Sequence, residues 1–254
     1  MTDQYAKCET LAALHAAQEA WIIPNPWDVG SAHDLEKLGF KALATSSAAC
    51  AYTFGYQDGA LALEDKLAHC KALAEHTQVP VSVDFEDGYG NDPDAIAKNI
   101  TRLADTGVAG CSIEDFSRVD QTFFDFDHAV ERIHAAVEAV SKLPVPFQLV
   151  ARAEGLIRRQ STIDDAIKRL QAFSQAGAHV LYAPGLSSLE DVQMVSKETD
   201  KPLNVLSPVI PGATVVELSE AGATRISLGN VLLEKARAFF LNGMNDMISS
   251  GAAS

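Results

Sequence analysis

The residues most able to do chemistry lie in Val81-Ser-Val-Asp-Phe-Glu-Asp-Gly-Tyr-Gly90, where an apolar strand runs into two acids and then a glycine turn. Side chains alternate faces along a strand, so Asp84 and Glu86 are expected to point the same way. Two carboxylates aimed into one small space favour a hard divalent cation, Mg²⁺ with Mn²⁺ as the alternative, which takes oxygen ligands and keeps several waters. A third acid, Glu114, closes the apolar strand Ala109-Gly-Cys-Ser-Ile-Glu-Asp115. Asp84, Glu86 and Glu114 together suggest a metal-assisted enzyme; the plainer alternative for each is an ordinary strand-end charge or helix cap.

These acids need elements to carry them. A helix-ending glycine followed by an apolar strand recurs at Leu38–Thr45, Thr106–Glu114, Ala176–Tyr182 and Ala221–Leu228, each glycine suited to the left-handed position that closes a helix. Further strands are expected at Trp21–Ile23, Val81–Asp84, Phe147–Arg152 and Leu203–Leu206, and Ala129–Val140 has one-sided apolar helix spacing. About eight apolar strands alternating with helices mean a parallel sheet covered by helices, here a closed (β/α)₈ TIM-type barrel. An open doubly wound sheet fits less well, because no Gly-x-Gly-x-x-Gly follows the first strand. No linker or composition shift divides residues 1–254, so one barrel domain is expected, preceded by a helix over about 6–20.

In such barrels chemistry sits at the C-terminal ends of the strands. That places Asn25, Asp28, Ser46, Ser47, Asp84, Glu86, Glu114, Asp115, Arg152, Glu154, Asn204 and Ser207 as candidates. Arg152 among carboxylates could bind a substrate carboxylate bidentately, or be held in an internal ion pair with Glu154 or Glu114. Composition narrows the partners. A formal net charge of −14 argues against nucleic acid and anionic membrane, and an anionic substrate then needs a local cation such as Arg152. No apolar run spans a bilayer, and no secretory leader pattern opens the chain, so a cytoplasmic location is expected. The four cysteines show neither zinc spacing nor a disulfide framework.

The motifs Asp84-Phe-Glu-Asp-Gly-Tyr-Gly90, Ser112-Ile-Glu-Asp115, Val150-Ala-Arg-Ala-Glu154, Thr45-Ser-Ser-Ala48 and Gly55-Tyr-Gln-Asp58 together resemble the isocitrate lyase and phosphoenolpyruvate mutase superfamily, from about Ala20 to about Phe240. The resemblance implies a barrel whose Mg²⁺ is held, partly through water, by Asp84, Glu86 and Glu114, with Asp58 close by. It implies a small 2-oxo or 2-hydroxy carboxylate as substrate and an enolate intermediate. Ser46, Ser47 and Ala48 would contact its oxygens, Arg152 would anchor a carboxylate, and we group Asn204 with these substrate contacts. Asp58, Arg152 and Glu114 are the catalytic candidates. Homo-oligomers, dimers or tetramers, are expected; superfamily tetramers often exchange a C-terminal helix, but the segment Asn245–Ser254 leaves little to exchange.

The departures are informative. Glu86 stands where the superfamily usually has Asp. The Lys-Lys-Cys-Gly-His loop of the lyases, whose cysteine donates the proton, is replaced by Phe116–Phe124 without cysteine or histidine. Cys111, three residues before Glu114, is expected to face away from the site as an apolar filler. Ala183-Pro-Gly185 replaces the lyase glutamate after the sixth strand, and the loop after Asp115 should cover the site little. Arg118 in that loop is read as a substrate anchor or a solvated charge, Trp27 as a pocket wall or packing residue, and the histidines as packing or surface residues. The expected function is Mg²⁺-dependent C–C cleavage of a 2-oxo or 2-hydroxy acid, as lyase, decarboxylase or acyl-hydrolase. The alternatives are P–C chemistry on a phosphonopyruvate-like substrate and a non-catalytic carboxylate-binding barrel.

Overall fold

The computed structural model describes residues 3–17 and 19–250. In chain order the elements are α1 (Asp3–His15), β1 (Trp21–Ile23), α2 (Val29–Lys37), β2 (Leu43–Ala44), α3 (Ser47–Thr53), α4 (Leu63–His76), β3 (Val81–Asp84), α5 (Pro93–Ala104), β4 (Gly110–Glu114), β5 (Phe116–Ser117), β6 (Thr122–Phe123), α6 (Phe126–Ser141), β7 (Gln148–Arg152), α7 (Ile163–Gln175), β8 (Val180–Tyr182), α8 (Leu189–Glu198), β9 (Leu203–Leu206), α9 (Val215–Glu220), β10 (Arg225–Ser227) and α10 (Val231–Ser250). Eight parallel strands run in the order β1-β10-β9-β8-β7-β4-β3-β2. The Ala44 N–H donates to Pro24 O at 3.0 Å and brings β2 back to β1, so the sheet forms the expected (β/α)₈ barrel.

Strand alternation divides the side chains into two environments. Val81, Val83, Cys111, Ile113, Leu149, Leu181, Val205 and Ile226 join the apolar core shared with the helices. The intervening Asp84, Ser112, Arg152, Tyr182, Asn204, Arg225 and Ser227 line a cavity at the barrel's centre. The helices are set by local signals as well as by packing. In α5, Asp92 accepts from the Ala95 N–H, Pro93 opens the first turn, and Ile96, Ile100, Leu103 and Ala104 form the buried stripe. The expected closing glycines do close helices, with Gly107 at φ 92° and Gly222 at φ 106°.

Three local expectations are corrected. The first helix spans Asp3–His15 rather than about 6–20, and Gln18 lies outside the described residues. The strand carrying Asp84 stops there, and Glu86 adopts φ 50°, so it leaves the pleat instead of sharing its face. The segment Phe116–Phe123 folds into the antiparallel β5–β6 hairpin rather than a bare loop. At the C-terminal side, α10 extends for 20 residues with Phe239, Phe240, Leu241 and Ile248 exposed.

Candidate active site

The central cavity, about 570 Å³, opens at the C-terminal ends of the strands and is lined by Asn25, Ser46, Ser47, Ala48, Asp58, Asp84, Arg152, Glu154, Asn204 and Arg225 among others. A second cavity of about 190 Å³ adjoins it, sharing Ser47, Asp58, Arg152, Glu154 and Arg158 and adding Glu86, Glu114, Gly59 and Arg118. The structure thus brings every residue predicted for catalysis, substrate or metal to one of two connected spaces. Of the other strand-end candidates, Asn25 ties strands together, its amide donating to Thr45 O (3.1 Å) and accepting from the Leu228 N–H (2.9 Å). Asp28 caps α2, and Asp115 accepts from the Glu154 N–H (2.8 Å) and pairs with Arg169 (3.1 Å). Ser207 lines neither cavity.

Asp84 is held firmly. It accepts from the Ser47 N–H at 3.0 Å, and its own N–H donates to Thr45 Oγ1 at 2.9 Å. Burial alone would push its carboxyl up, but Arg152, Lys66 and the Ser47 amide together hold it below the ordinary value. Glu86 and Glu114 behave in the opposite way. Burial raises Glu86 despite Lys66 and the Tyr89 hydroxyl, which donates to Glu86 Oε2 at 2.5 Å. Burial also raises Glu114 well above the usual carboxylate range, with Glu154 and Asp84 adding to it and Arg152 opposing. Ser46 spends its hydroxyl oxygen on the Ala49 N–H as the N-cap of α3, leaving Ala48, at the second helical position, with an N–H that has no intrahelical acceptor.

Arg152 does not present a free fork. Its Nε and Nη2 donate to Glu154 at 2.5 and 2.8 Å, so the bidentate edge predicted for a substrate is occupied by Glu154. Nη1 remains, 3.5 Å from Asp84 Oδ1, and Nε lies 3.4 Å from Glu114. The internal ion-pair reading of Arg152 therefore holds in this structure. Arg118 is not a solvated charge: Nη1 donates to Gly59 O (2.9 Å) and Leu61 O (3.3 Å), Nε faces Asp87 (3.4 Å), and the guanidinium stacks 4.1 Å over Tyr89. Cys111 is fully buried in the apolar core, away from both cavities. Trp27 lines neither cavity, and its carbonyl accepts from His69 Nε2 at 2.9 Å.

Among the described residues, no three acidic, histidine or cysteine side chains converge closely enough to hold a metal ion directly. Arg152 lies against both Asp84 and Glu114. The donor set still fits a hard cation that retains water, because the donors of Asp84, Glu86 and Glu114 are all carboxylate oxygens, and burial raises Glu86 and Glu114 even against the cations beside them.

Four residues escaped the sequence reading. Arg158 lies 3.5 Å from Glu154 and 3.9 Å from Glu114, and its spacing four residues after Glu154 was the available signal. Tyr182 and Arg225 line the central cavity, and an arginine inside the apolar run Ala221–Leu228 was a visible anomaly. Lys66 is fully buried on α4 with its nitrogen unpartnered, and its charge acts on Asp84 and Glu86. In sequence it looks like any charged helix residue.

The family model described as phosphoenolpyruvate phosphomutase matches residues 11–248. This chain belongs to that family. It is 30% identical over 203 residues to a 2-methylisocitrate lyase, named as probable, of Corynebacterium glutamicum, covering 77% of this chain and 64% of that one. The 2,3-dimethylmalate lyase of Eubacterium barkeri is 27% identical over 87% of this chain and 74% of its own. Among solved structures, a Burkholderia cenocepacia J2315 protein provisionally named a lyase/mutase superposes with TM-score 0.94 at 39% identity, covering 98% of this chain and 90% of that one. Oxaloacetate acetylhydrolase in complex with its product oxalate gives TM-score 0.89 at 25% identity, covering 98% and 89%. The relatives are thus named for C–C and P–C bond chemistry.

Proposed function

We propose that this family member is a Mg²⁺-dependent enzyme, with Mn²⁺ as a substitute, that cleaves a C–C bond of a small 2-oxo or 2-hydroxy carboxylate through an enolate-like intermediate. The observation that carries this reading is the charge balance of the two cavities. Asp58, Asp84, Glu86, Glu114, Glu154 and Glu234 line them against Arg118, Arg152, Arg158 and Arg225. Arg152 and Arg158 are engaged by Glu154, Arg118 by Asp87 and the carbonyls of Gly59 and Leu61, Arg225 forms no ion pair among the described residues, and two of the acids are raised by burial. Asp84, Glu86 and Glu114 would hold the ion, partly through water, with Asp58 nearby. When bound, the cation supplies positive charge where an oxyanion develops.

The protein groups have separable tasks. Asp84, fixed by Ser47 and Thr45, keeps its carboxylate ionised in a set place. Arg152, gripped by Glu154, offers Nη1 to a substrate carboxylate without further loss of side-chain freedom. Ser47 and Ala48 at the start of α3 place polar groups beside the reacting oxygens, where preorganised donors stabilise developing charge. Asn204 lines the same space.

Incubating the protein with a panel of 2-oxo and 2-hydroxy acids, with Mg²⁺ and then with chelator, tests the reading. Metal-dependent release of pyruvate, glyoxylate or oxalate supports it. No release from any acid would reduce the site to a carboxylate-binding barrel, and release only from a phosphonate would move the chemistry to the P–C bond. The partner class is a small anionic carboxylate, not nucleic acid or membrane. Among the described residues no helix is long and apolar enough to cross a membrane. A homo-oligomer, dimer or tetramer, is part of the same proposal, supported by the exposed apolar side chains of α10.

A further inference from the structure

We propose that Arg225 is a second anion anchor, at the floor of the central cavity, and that it selects substrates carrying a second carboxylate beyond the one held near Arg152. This deepens the reading above, since it takes the cavity to be the substrate site.

Three arginines line the cavity, and two are neutralised. Arg152 lies within 3.5 Å of Asp84, Glu114 and Glu154, and Arg158 within 3.9 Å of Glu114 and Glu154. Arg225 is different. It is 5% exposed and forms no ion pair among the described residues; its Nε, like that of Arg158, is buried without a hydrogen-bond partner. Its side-chain hydrogen bond is from Nη1 to His15 Nε2 at 3.4 Å, and His15 Nδ1 faces Gln148 Oε1 at 3.2 Å. That arrangement makes Nδ1 the protonated nitrogen and Nε2 the acceptor. Burial, and then the neighbouring Arg225, push His15 down to about 3, so it is neutral and brings no counter-charge. A buried guanidinium without an anion is costly unless something supplies one.

The sheet register shows where that anion would come from. Arg152 pairs with Tyr182, Tyr182 with Asn204, and Asn204 with Arg225, so four polar cavity-lining residues form one row across four adjacent strands. Arg152 is the last residue of β7, whereas Arg225 is the first of β10, so the row descends from the mouth of the cavity to its floor. An extended dianion with one carboxylate at the mouth would place its other end toward Arg225. Beside it Ser227 Oγ, which accepts from Asn204 Nδ2 at 3.0 Å, adds a polar contact.

The test is equilibrium binding by calorimetry, with Mg²⁺ present and no turnover required. The full chain, Arg225→Met and Arg225→Lys are titrated with malonate, succinate and glutarate and with the matched monocarboxylates acetate, propionate and butyrate. The wild type is expected to bind at least one dicarboxylate more tightly than its match. Arg225→Met should weaken that binding by roughly 10- to 100-fold, as for a lost charge-assisted bond, while leaving the monocarboxylates unchanged. Arg225→Lys should retain part of it, and serves alone if the methionine variant does not fold. Equal affinity of the wild type for both series, or equal weakening of both in either variant, overturns the proposal. Selective binding without turnover of any acid would leave Arg225 as an anchor and remove only the proposed reaction; turnover without dicarboxylate selectivity would do the reverse.

Discussion

Asp84 is the acid that the surrounding residues keep ionised, and Glu86 and Glu114 are the acids that burial opposes. Asp84→Ala is therefore expected to abolish both Mg²⁺ binding in a calorimetric titration and activity, with the circular dichroism spectrum unchanged, since the carboxylate serves the cavity and not the apolar core. Unchanged metal affinity in this variant would falsify the central claim. Cys111 makes the complementary case. Burial raises its thiol, and it packs in the core between β4 and the helices. Cys111→Ala should leave kcat within about threefold, because a true proton donor contributes roughly 10² to 10⁴ in rate. A large loss in a folded Cys111 variant would show that a thiol takes part after all.

At the scale of elements, the β5–β6 hairpin acts as a clamp. Arg118, at its turn, reaches across to the carbonyls of Gly59 and Leu61 and so fixes the segment that carries Asp58. Arg118→Met should lower kcat/KM by roughly tenfold or more, because small misplacements of positioned groups are expensive, and should speed proteolysis within residues 54–62. Normal kinetics with normal protection there would show that the clamp is dispensable. On α4, His69 donates to the Trp27 carbonyl, and burial lowers it to about 4 from 6.5 despite that bond, with Lys66 adding to the effect and Asp28 opposing it. Its proton therefore binds the unfolded chain more readily than the folded one. The associated stability is complete above about pH 6.5 and is lost as pH falls toward about 4, by about 1.4 kcal/mol per pH unit. His69→Gln, which can keep the bond to Trp27, should lessen the slope by about that amount in denaturant titrations between pH 6.5 and 4, leaving the share of the likewise lowered His15 and His179; an unchanged slope would show that His69 does not contribute.

For the whole molecule, α10 is the element that the barrel leaves uncovered. Phe239 is 83% exposed and Ile248 75%, with Phe240, Leu241, Met244 and Met247 also exposed along the helix. An apolar surface of this kind is unusual on a monomer. Sedimentation analysis should find a dimer or tetramer, and Phe239→Ser with Phe240→Ser should shift it toward monomer without unfolding the barrel. A monomeric wild type at micromolar concentration would contradict the assembly proposal.

The barrel was legible in the sequence because its signals are local. Apolar strands after closing glycines, and the one-sided helix expected at Ala129–Val140 and found within α6, each depend on residues within a turn or two of one another. Asp84, Glu114 and Arg152 were legible for the same reason, each being a polar residue ending an apolar strand. Tertiary structure decided what those residues do to one another. Whether Arg152 offers its fork to a ligand depends on the facing Glu154, and the role of Arg118 depends on carbonyls 57 and 59 residues away. The burial of Lys66, and the solitary charge of Arg225 against a neutral His15 at the other end of the chain, follow from closing the sheet. Charge balance in a buried site is a sum over neighbours in space, and the order of residues along the chain does not contain that sum.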